Sequence, residues 1–330
     1  MNKIKGIVPL FLAFILASCS LPGVSSSVEN DVIVASGTYT ERQILAEIVT
    51  QMVEHDTDLS VTQIKNLGST TMTHIAMEKK SLNVVGGMYT GTSLTGELAM
   101  KPETDPKKAM ELVRTNYLKK FHRIWFPSYG FDNTYAFMVR KDYAEKHHLS
   151  KVSQLESLKD EAKVGVDSSW VERPGDGYEA FKAKYGFQFS NFYSMDIGLI
   201  YSALASGNMD VVLGYSTDGR INAYDLVLLE DDLKLFPAYD CSPVASVEIL
   251  KKYPELIEIL LKLEGSISSE KMQELNKQAS EDRIEPQIVA REFLEENNYF
   301  EDVQVNAKEL ERIRGEVNVQ RADQLLRHEL

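Results

Sequence analysis

Apolar and polar positions along this chain fall into two rhythms that alternate. Asp31 to Ala35 carries Val-Ile-Val and reads as a strand. After the turn Ser36-Gly37-Thr38-Tyr39, Thr40 can cap a helix running to about Glu54, with Ile44, Leu45, Ile48, Val49 and Met52 at helical spacing. Ser60 to Ile64 predicts the next strand and Thr70 to about Lys79 the next helix. Then comes Leu82-Asn83-Val84-Val85-Gly86-Gly87-Met88-Tyr89, read as a buried strand that two glycines end, with an aromatic ring close behind. Such alternation predicts a mostly parallel sheet flanked by helices.

The layout returns at Met209-Asp210-Val211-Val212-Leu213-Gly214-Tyr215. Each copy follows a helix-like segment that ends near an alanine, Ala76 or Ala203. Ligands of open α/β sheets sit beyond the carboxyl ends of the strands, so two such units would aim Tyr89 and Tyr215 into a shared cleft. The plainer alternative, two ordinary half-buried rings, stays open for either tyrosine alone.

Between the copies, Pro102 to Pro106 breaks the pattern. A helix over Lys107 to Lys120 and a strand over Phe121 to Phe126 follow. The turn-rich Pro127 to Asn133 leads to a strand over Thr134 to Val139 and reads as a first crossing between lobes. A second lobe runs strand (Lys163 to Asp167), helix (Gly177 to Tyr185), strand, helix (Ile197 to Ala205), the repeated unit, and a strand over Asp225 to Leu229. Asp231-Asp232, read as exposed acids, and Leu235 to Tyr239 form the return crossing. Val244 to Val247 and helices over Pro254 to Leu263, Glu270 to Ser280 and Pro286 to Glu296 come after it. Lobe 1 is then built from residues 31–129 and 236–300, and lobe 2 from 130–235, a layout suited to hinge closure. Residues 301–330 are charged and helix-prone. Their sparse stripe of Leu310, Ile313, Val317 and Leu325 predicts a helix lying on lobe 1, with a frayed tail as the alternative.

The N-terminus changes the picture. Lys3 and Lys5 precede an apolar run from Ile7 to Leu16, too short to span a bilayer and suited to the core of a signal peptide. It ends Leu16-Ala17-Ser18-Cys19, which resembles a bacterial lipobox. That resemblance implies a leader over 1–18, acylation of Cys19 with diacylglycerol and palmitate chains, and a tether over 19–30. An ordinary secretory signal is the alternative. Either way the protein is expected outside the cytoplasm, and the lipobox puts it on the outer face of a bacterial cell membrane. The only other cysteine is Cys241, so an acylated chain has no disulfide and no CxxC metal site. Net charge is −13, falling to −15 when Lys3 and Lys5 leave with the leader, which argues against nucleic acid as a partner.

Catalysis finds little support, for GxSxG, HExxH, P-loop and dinucleotide glycine patterns are all absent. His74 and Glu78 are four apart on a helix and read as a surface pair. No metal or cofactor is expected. What remains is tyrosine at strand ends and crossings: Tyr89, Tyr135, Tyr215 and Tyr239. Ring faces attract a cation at roughly 0.5–2 kcal/mol each, so four rings would contribute on the order of 4 kcal/mol. A trimethylammonium group suits them, because it donates no N–H hydrogen bond and its methyls are apolar.

At these residues the chain resembles the substrate-binding lipoproteins of osmoprotectant ABC importers, which take up glycine betaine, carnitine and choline. The matching phrases are Tyr39-Thr40-Glu41, Leu67-Gly68-Ser69-Thr70, Tyr89-Thr90-Gly91-Thr92, Tyr129-Gly130-Phe131-Asp132-Asn133-Thr134-Tyr135-Ala136, Met195-Asp196-Ile197-Gly198-Leu199, Tyr215-Ser216-Thr217-Asp218-Gly219 and Phe236-Pro237-Ala238-Tyr239. The resemblance implies an α/β, two-lobed type II periplasmic-binding-protein fold with two hinge crossings. It implies a cage of Tyr89, Tyr135, Tyr215 and Tyr239 around the quaternary ammonium, with Thr92 and Asn133 at the ligand's polar end. A permease and an ATPase are the implied partners. A neutral hydroxyl at Thr92 should not repel a carboxylate, which favours a broad betaine-type range. Gly37 stands where relatives often carry a polar side chain. The alternatives are a choline-restricted receptor and an enzyme acting on choline derivatives.

Overall fold

The computed structural model describes residues 32–328 apart from Pro174 and Asp302; the expected leader, Cys19 and the tether lie outside the described residues. The chain opens with β1 (Val32–Gly37), α1 (Thr40–Asp56), β2 (Val61–Leu67), α2 (Thr70–Glu78) and β3 (Val84–Tyr89). It continues through α3 (Thr90–Thr95), α4 (Pro106–Phe121), β4 (Arg123–Trp125), β5 (Tyr135–Arg140), α5 (Lys141–His147), a 3-10 helix (Val152–Leu158) and β6 (Lys163–Asp167). Next come α6 (Ser168–Val171), α7 (Tyr178–Tyr185), β7 (Asn191–Met195), α8 (Ile197–Ala205), β8 (Val211–Tyr215), α9 (Gly219–Ala223) and β9 (Leu226–Leu228). The chain closes with β10 (Cys241–Ser246), α10 (Val247–Lys252), α11 (Glu255–Leu261), α12 (Ser269–Ser280), α13 (Pro286–Glu296) and α14 (Ala307–His328).

The strands form two sheets in the orders β2-β1-β3-β10-β4 and β7-β6-β8-β5-β9. Position by position these are one plan used twice, and the repeat seen in the sequence, β3 and β8, fills the middle place of both. The sheets are mixed rather than mostly parallel. β1 runs parallel to β2 and β3, and β6 parallel to β7 and β8. The strands that leave the crossings, β5 and β10, run antiparallel to both of their neighbours. An antiparallel neighbour needs no crossover helix, so a chain entering from the other lobe can join the sheet directly.

Gly86 and Gly87 lie inside β3 instead of ending it. A Cβ on Gly86 would come within 2.8 Å of the backbone of Leu45 and Ala46, so the glycine lets α1 press flat on the strand. Ile44, Leu45, Ile48, Val49 and Met52 of α1 are fully buried there, as their helical spacing predicts. Thr40 does not cap this helix; Tyr39 occupies the N-cap without a side-chain bond, and the Thr40 hydroxyl donates to Asn276 Oδ1 (3.1 Å).

The two crossings run side by side. Asp132 and Asp240 form an isolated antiparallel bridge, and the Tyr239 amide donates to Asp132 Oδ1 at 2.7 Å. A second link joins the lobes through α12, whose Gln273 and Asn276 amides donate to the carbonyls of Ser216 (2.7 Å) and Thr217 (2.9 Å). The C-terminal helix α14 packs on α10 and α11 with Ile313 and Val317 buried, and Arg314 pairs with Glu258 at 2.6 Å. The side chain of Leu325, the last position of the expected stripe, lies outside the described residues.

Candidate functional site

Strand direction brings two tyrosines to the same end of each sheet. Tyr89 ends β3 and Tyr215 ends β8. Because β5 is antiparallel to β8, its first residue, Tyr135, lies opposite Tyr215. Because β10 is antiparallel to β3, its first residue, Cys241, lies opposite Tyr89, and Tyr239 comes two residues earlier. Each lobe therefore presents one tyrosine from a strand end and one from a crossing.

Three of the rings meet around a guanidinium. Tyr135 and Tyr215 stack with centroids 5.0 Å apart and planes 27° from parallel. Arg173 lies over the Tyr135 ring at 5.3 Å and donates from Nη2 to the Tyr239 hydroxyl at 2.8 Å. Its other hydrogens form a fork on Asp176, at 3.0 Å to each carboxylate oxygen. Tyr215 remains 37 % exposed, and its stack on Tyr135 leaves no room for a ligand between the two rings. Tyr39, before α1, is 71 % exposed. A Cβ on Gly91 would fall 2.8 Å from the Tyr239 ring, so glycine there lets the start of α3 close against the return crossing. Thr92 is half-buried in that same turn.

Tyr89 belongs to a second cluster, built on Glu41. Its hydroxyl donates to Glu41 Oε1 at 2.6 Å, and Asn133 Nδ2 donates to the same oxygen at 2.8 Å. Asn276 Nδ2 donates to the other Glu41 oxygen at 3.2 Å. With its amide hydrogen held by Glu41, Asn133 has its Oδ1 buried without a hydrogen-bond partner among the described residues. In lobe 2 the Tyr135 hydroxyl donates to Asp167 Oδ2 at 2.7 Å. Burial above all raises the phenols of Tyr89, Tyr135, Tyr215 and Tyr239, so all four remain protonated at neutral pH.

Sequence reasoning gave no site role to Glu41, Asp167, Arg173 and Tyr39. Glu41 and Tyr39 stood in the phrase Tyr39-Thr40-Glu41 without one. Asp167 was visible as a charge closing an apolar strand. Arg173 lies in an irregular turn that carries no periodic signal. Two minor expectations change. His74 and Glu78 are not a bare surface pair: both hold the buried Arg123, at 2.8 Å and 2.7 Å. Asp231 and Asp232 are not free acids, since they accept bonds from Phe236 N and Tyr185 and from Ser153 and so fix the return crossing. No group of three or more His, Cys, Asp or Glu placed to hold a metal occurs among the described residues. A separate hollow of about 730 Å³ lies between α4 and α14, lined by both charge signs, and does not include the tyrosine set.

Residues 30–296 match the family model described as the substrate binding domain of an ABC-type glycine betaine transport system. The chain is 49 % identical over 286 residues to the carnitine transport binding protein OpuCC of Listeria monocytogenes, covering 87 % of this chain and 93 % of that one. It is 32 % identical over 288 residues to the ergothioneine transport permease/ergothioneine binding protein EgtU of Helicobacter pylori, covering 87 % of this chain and 51 % of that one. Among solved structures, that of a glycine betaine/carnitine/choline ABC transporter superposes with a TM-score of 0.80 at 47 % identity, covering 82 % of this chain and all of that one. With two mixed sheets on one plan, two adjacent crossings and this match over most of its length, the chain belongs to the family of substrate-binding domains of ABC-type glycine betaine transport systems.

Proposed function

We propose that this protein captures a quaternary ammonium solute, of the glycine betaine, carnitine and choline class, between its lobes and delivers it to a membrane permease driven by an ATPase. The observation that carries the reading is the meeting of Tyr135 and Tyr215, from one sheet, with Tyr239, from the return crossing, around Arg173. Tyrosine faces attract a permanent cation, and methylated nitrogen gains from burial against rings. Tyr89 completes the cage from lobe 1. Thr92 and Asn133 serve the polar end of the ligand, and Arg173 is the cation that receives a ligand carboxylate. The name of the Listeria relative supports carnitine within the range. The functional lobes are residues 31–129 with 236–300, and 130–235. Cys19 carries the lipid that holds the mature protein on the outer face of the cell membrane.

The test is calorimetric titration with glycine betaine, carnitine and choline. Heat with all three, or with the two carboxylate-bearing ligands, supports the broad range. Heat with choline alone replaces it by a choline-restricted receptor, and heat with none removes the ligand class. For the anchor, labelling cells with a palmitate analogue should mark the wild type and leave Cys19→Ser unmarked.

A further inference from the structure

Each lobe places a buried carboxylate near the end of the corresponding strand. β1 and β6 hold the same place in their sheets; an acid turned toward a tyrosine of the proposed cage lies four residues past the end of β1 and at the last position of β6. In lobe 1 this is Glu41, in the first turn of α1, 4 % exposed. In lobe 2 it is Asp167, the last residue of β6 and the N-cap of α6, 2 % exposed. Glu41 takes the Tyr89 hydroxyl at 2.6 Å and Asp167 takes the Tyr135 hydroxyl at 2.7 Å.

Their other donors are all neutral. Glu41 is held by the amides of Asn133 and Asn276, and Asp167 by the hydroxyl (2.7 Å) and backbone N–H (3.3 Å) of Ser169. Hydrogen bonds of this kind solvate a carboxylate but do not cancel its charge. Burial, and then the neighbouring acid, raises both phenols, so the proton stays on each tyrosine. Arg173, the cation of the site, lies over the Tyr135 ring but gives its hydrogen bonds to Asp176 and Tyr239, not to Glu41 or Asp167. Two buried carboxylates thus stand directly behind two ring edges, and a phenol that donates to a carboxylate carries more electron density on its face.

We propose that Glu41 and Asp167 are the counter-charges of the bound ammonium, acting through Tyr89 and Tyr135, and that they set the preference between net-cationic and zwitterionic ligands. This rests on the quaternary ammonium reading above and deepens it. Both ligand types place the same trimethylammonium head in the cage. Choline has no other charge, so it takes the full attraction. Glycine betaine also feels repulsion of its carboxylate, so its net gain is smaller.

The experiment titrates wild type, Glu41→Gln, Asp167→Asn, Glu41→Asp and Asp167→Glu with choline and glycine betaine, each variant checked by thermal unfolding. Each neutral variant should raise the Kd for choline about tenfold and that for glycine betaine about threefold or less. The charge-conserving variants should keep the wild-type ratio of the two constants even where both ligands bind more weakly. A merely structural role would loosen the shared head group and weaken both ligands by one factor. That result, or no change at all, overturns the proposal. Should Glu41→Gln fail to fold, Asp167→Asn decides alone. Wild type that binds neither ligand would refute the ligand reading itself, before any variant is compared.

Discussion

Arg173 is the residue at which the ligand reading can be broken most directly. Arg173→Met keeps an apolar stem and removes the charge. Three interactions go with it: the contact over Tyr135 at 5.3 Å, the donation to Tyr239 at 2.8 Å and the fork on Asp176. A guanidinium and a carboxylate about 4 Å apart attract by about 4 kcal/mol at an effective dielectric of 20. The Arg173 side chain is 36 % exposed, so solvent and salt reduce this to about half. About 2 kcal/mol corresponds to about a thirtyfold rise in Kd for glycine betaine and carnitine. Choline has no carboxylate to lose. For it the variant clears a positive charge from the face of Tyr135, so its affinity should hold or improve. Asp176, 4 % exposed at its side chain, is left as an unpaired buried anion, which would itself repel a carboxylate. Arg173→Met with Asp176→Asn removes that contribution and should still show the split between ligands. Calorimetry with all three ligands on both variants is the assay. Choline weakening as much as glycine betaine would show that Arg173 only props the rings, and no change in either would remove it from the site.

Tyr215→Ala removes the ring stacked at 5.0 Å on Tyr135, and the Kd for any bound quaternary ammonium should rise at least about tenfold by the same titration. The Asp132 carboxyl is raised to about 7, mainly by burial and further by Asp240, against the lowering effect of the Tyr239 amide. The folded chain therefore binds a proton that the unfolded chain has already released between about pH 4 and 7, so stability falls as pH rises through that window. Asp132→Asn keeps the acceptor for Tyr239, and denaturant unfolding across the window should show a flatter profile than wild type; an unchanged slope would mean another group carries it. Deleting residues 301–330 strips Ile313 and Val317 from lobe 1, worth about 1.5–3 kcal/mol each, and should lower Tm by about 5–10 °C while leaving ligand affinity unchanged. A loss of binding in that variant would give α14 a part in the cleft.

Much of the fold was legible because its signals are local. The helical spacing of Ile44 to Met52 and the Val-Val cores of β3 and β8 fix elements without any distant partner. The direction of β5 and β10 was not legible, since a short apolar run reads the same parallel or antiparallel. Gly86 and Gly87 misled for a related reason: a glycine in a strand marks either its end or a close neighbour, and the neighbour here, α1, is a tertiary fact. The tyrosines stood out because each sits at a strand end or crossing, which the pattern itself marks. The charged residues around them did not. Glu41 lies on a helix otherwise read by its apolar stripe, and Arg173 reaches Tyr239 only because an irregular turn folds it back across the cleft.

Connectivity also separates what opening of the cleft can break from what it cannot. Tyr135 and Tyr215 sit on adjacent strands of one sheet, and the Tyr215 amide is tied to the Tyr201 hydroxyl of α8 at 2.8 Å, so their stack belongs to one rigid layer. The bonds from Gln273 and Asn276 to Ser216 and Thr217 hold the turn behind Tyr215 to lobe 1, close to the crossings, where a pivot moves atoms least. Arg173 comes from the turn after α6 in lobe 2, while Tyr239 is packed against Gly91 of lobe 1, so a hinge opening between the proposed lobes would stretch their contact. On the proposed reading, a ligand's ammonium would meet a ready-made wall of two rings in the open form. Its carboxylate would gain Arg173 together with Tyr239 only when the lobes shut, which would tie the zwitterion's extra charge to closure itself.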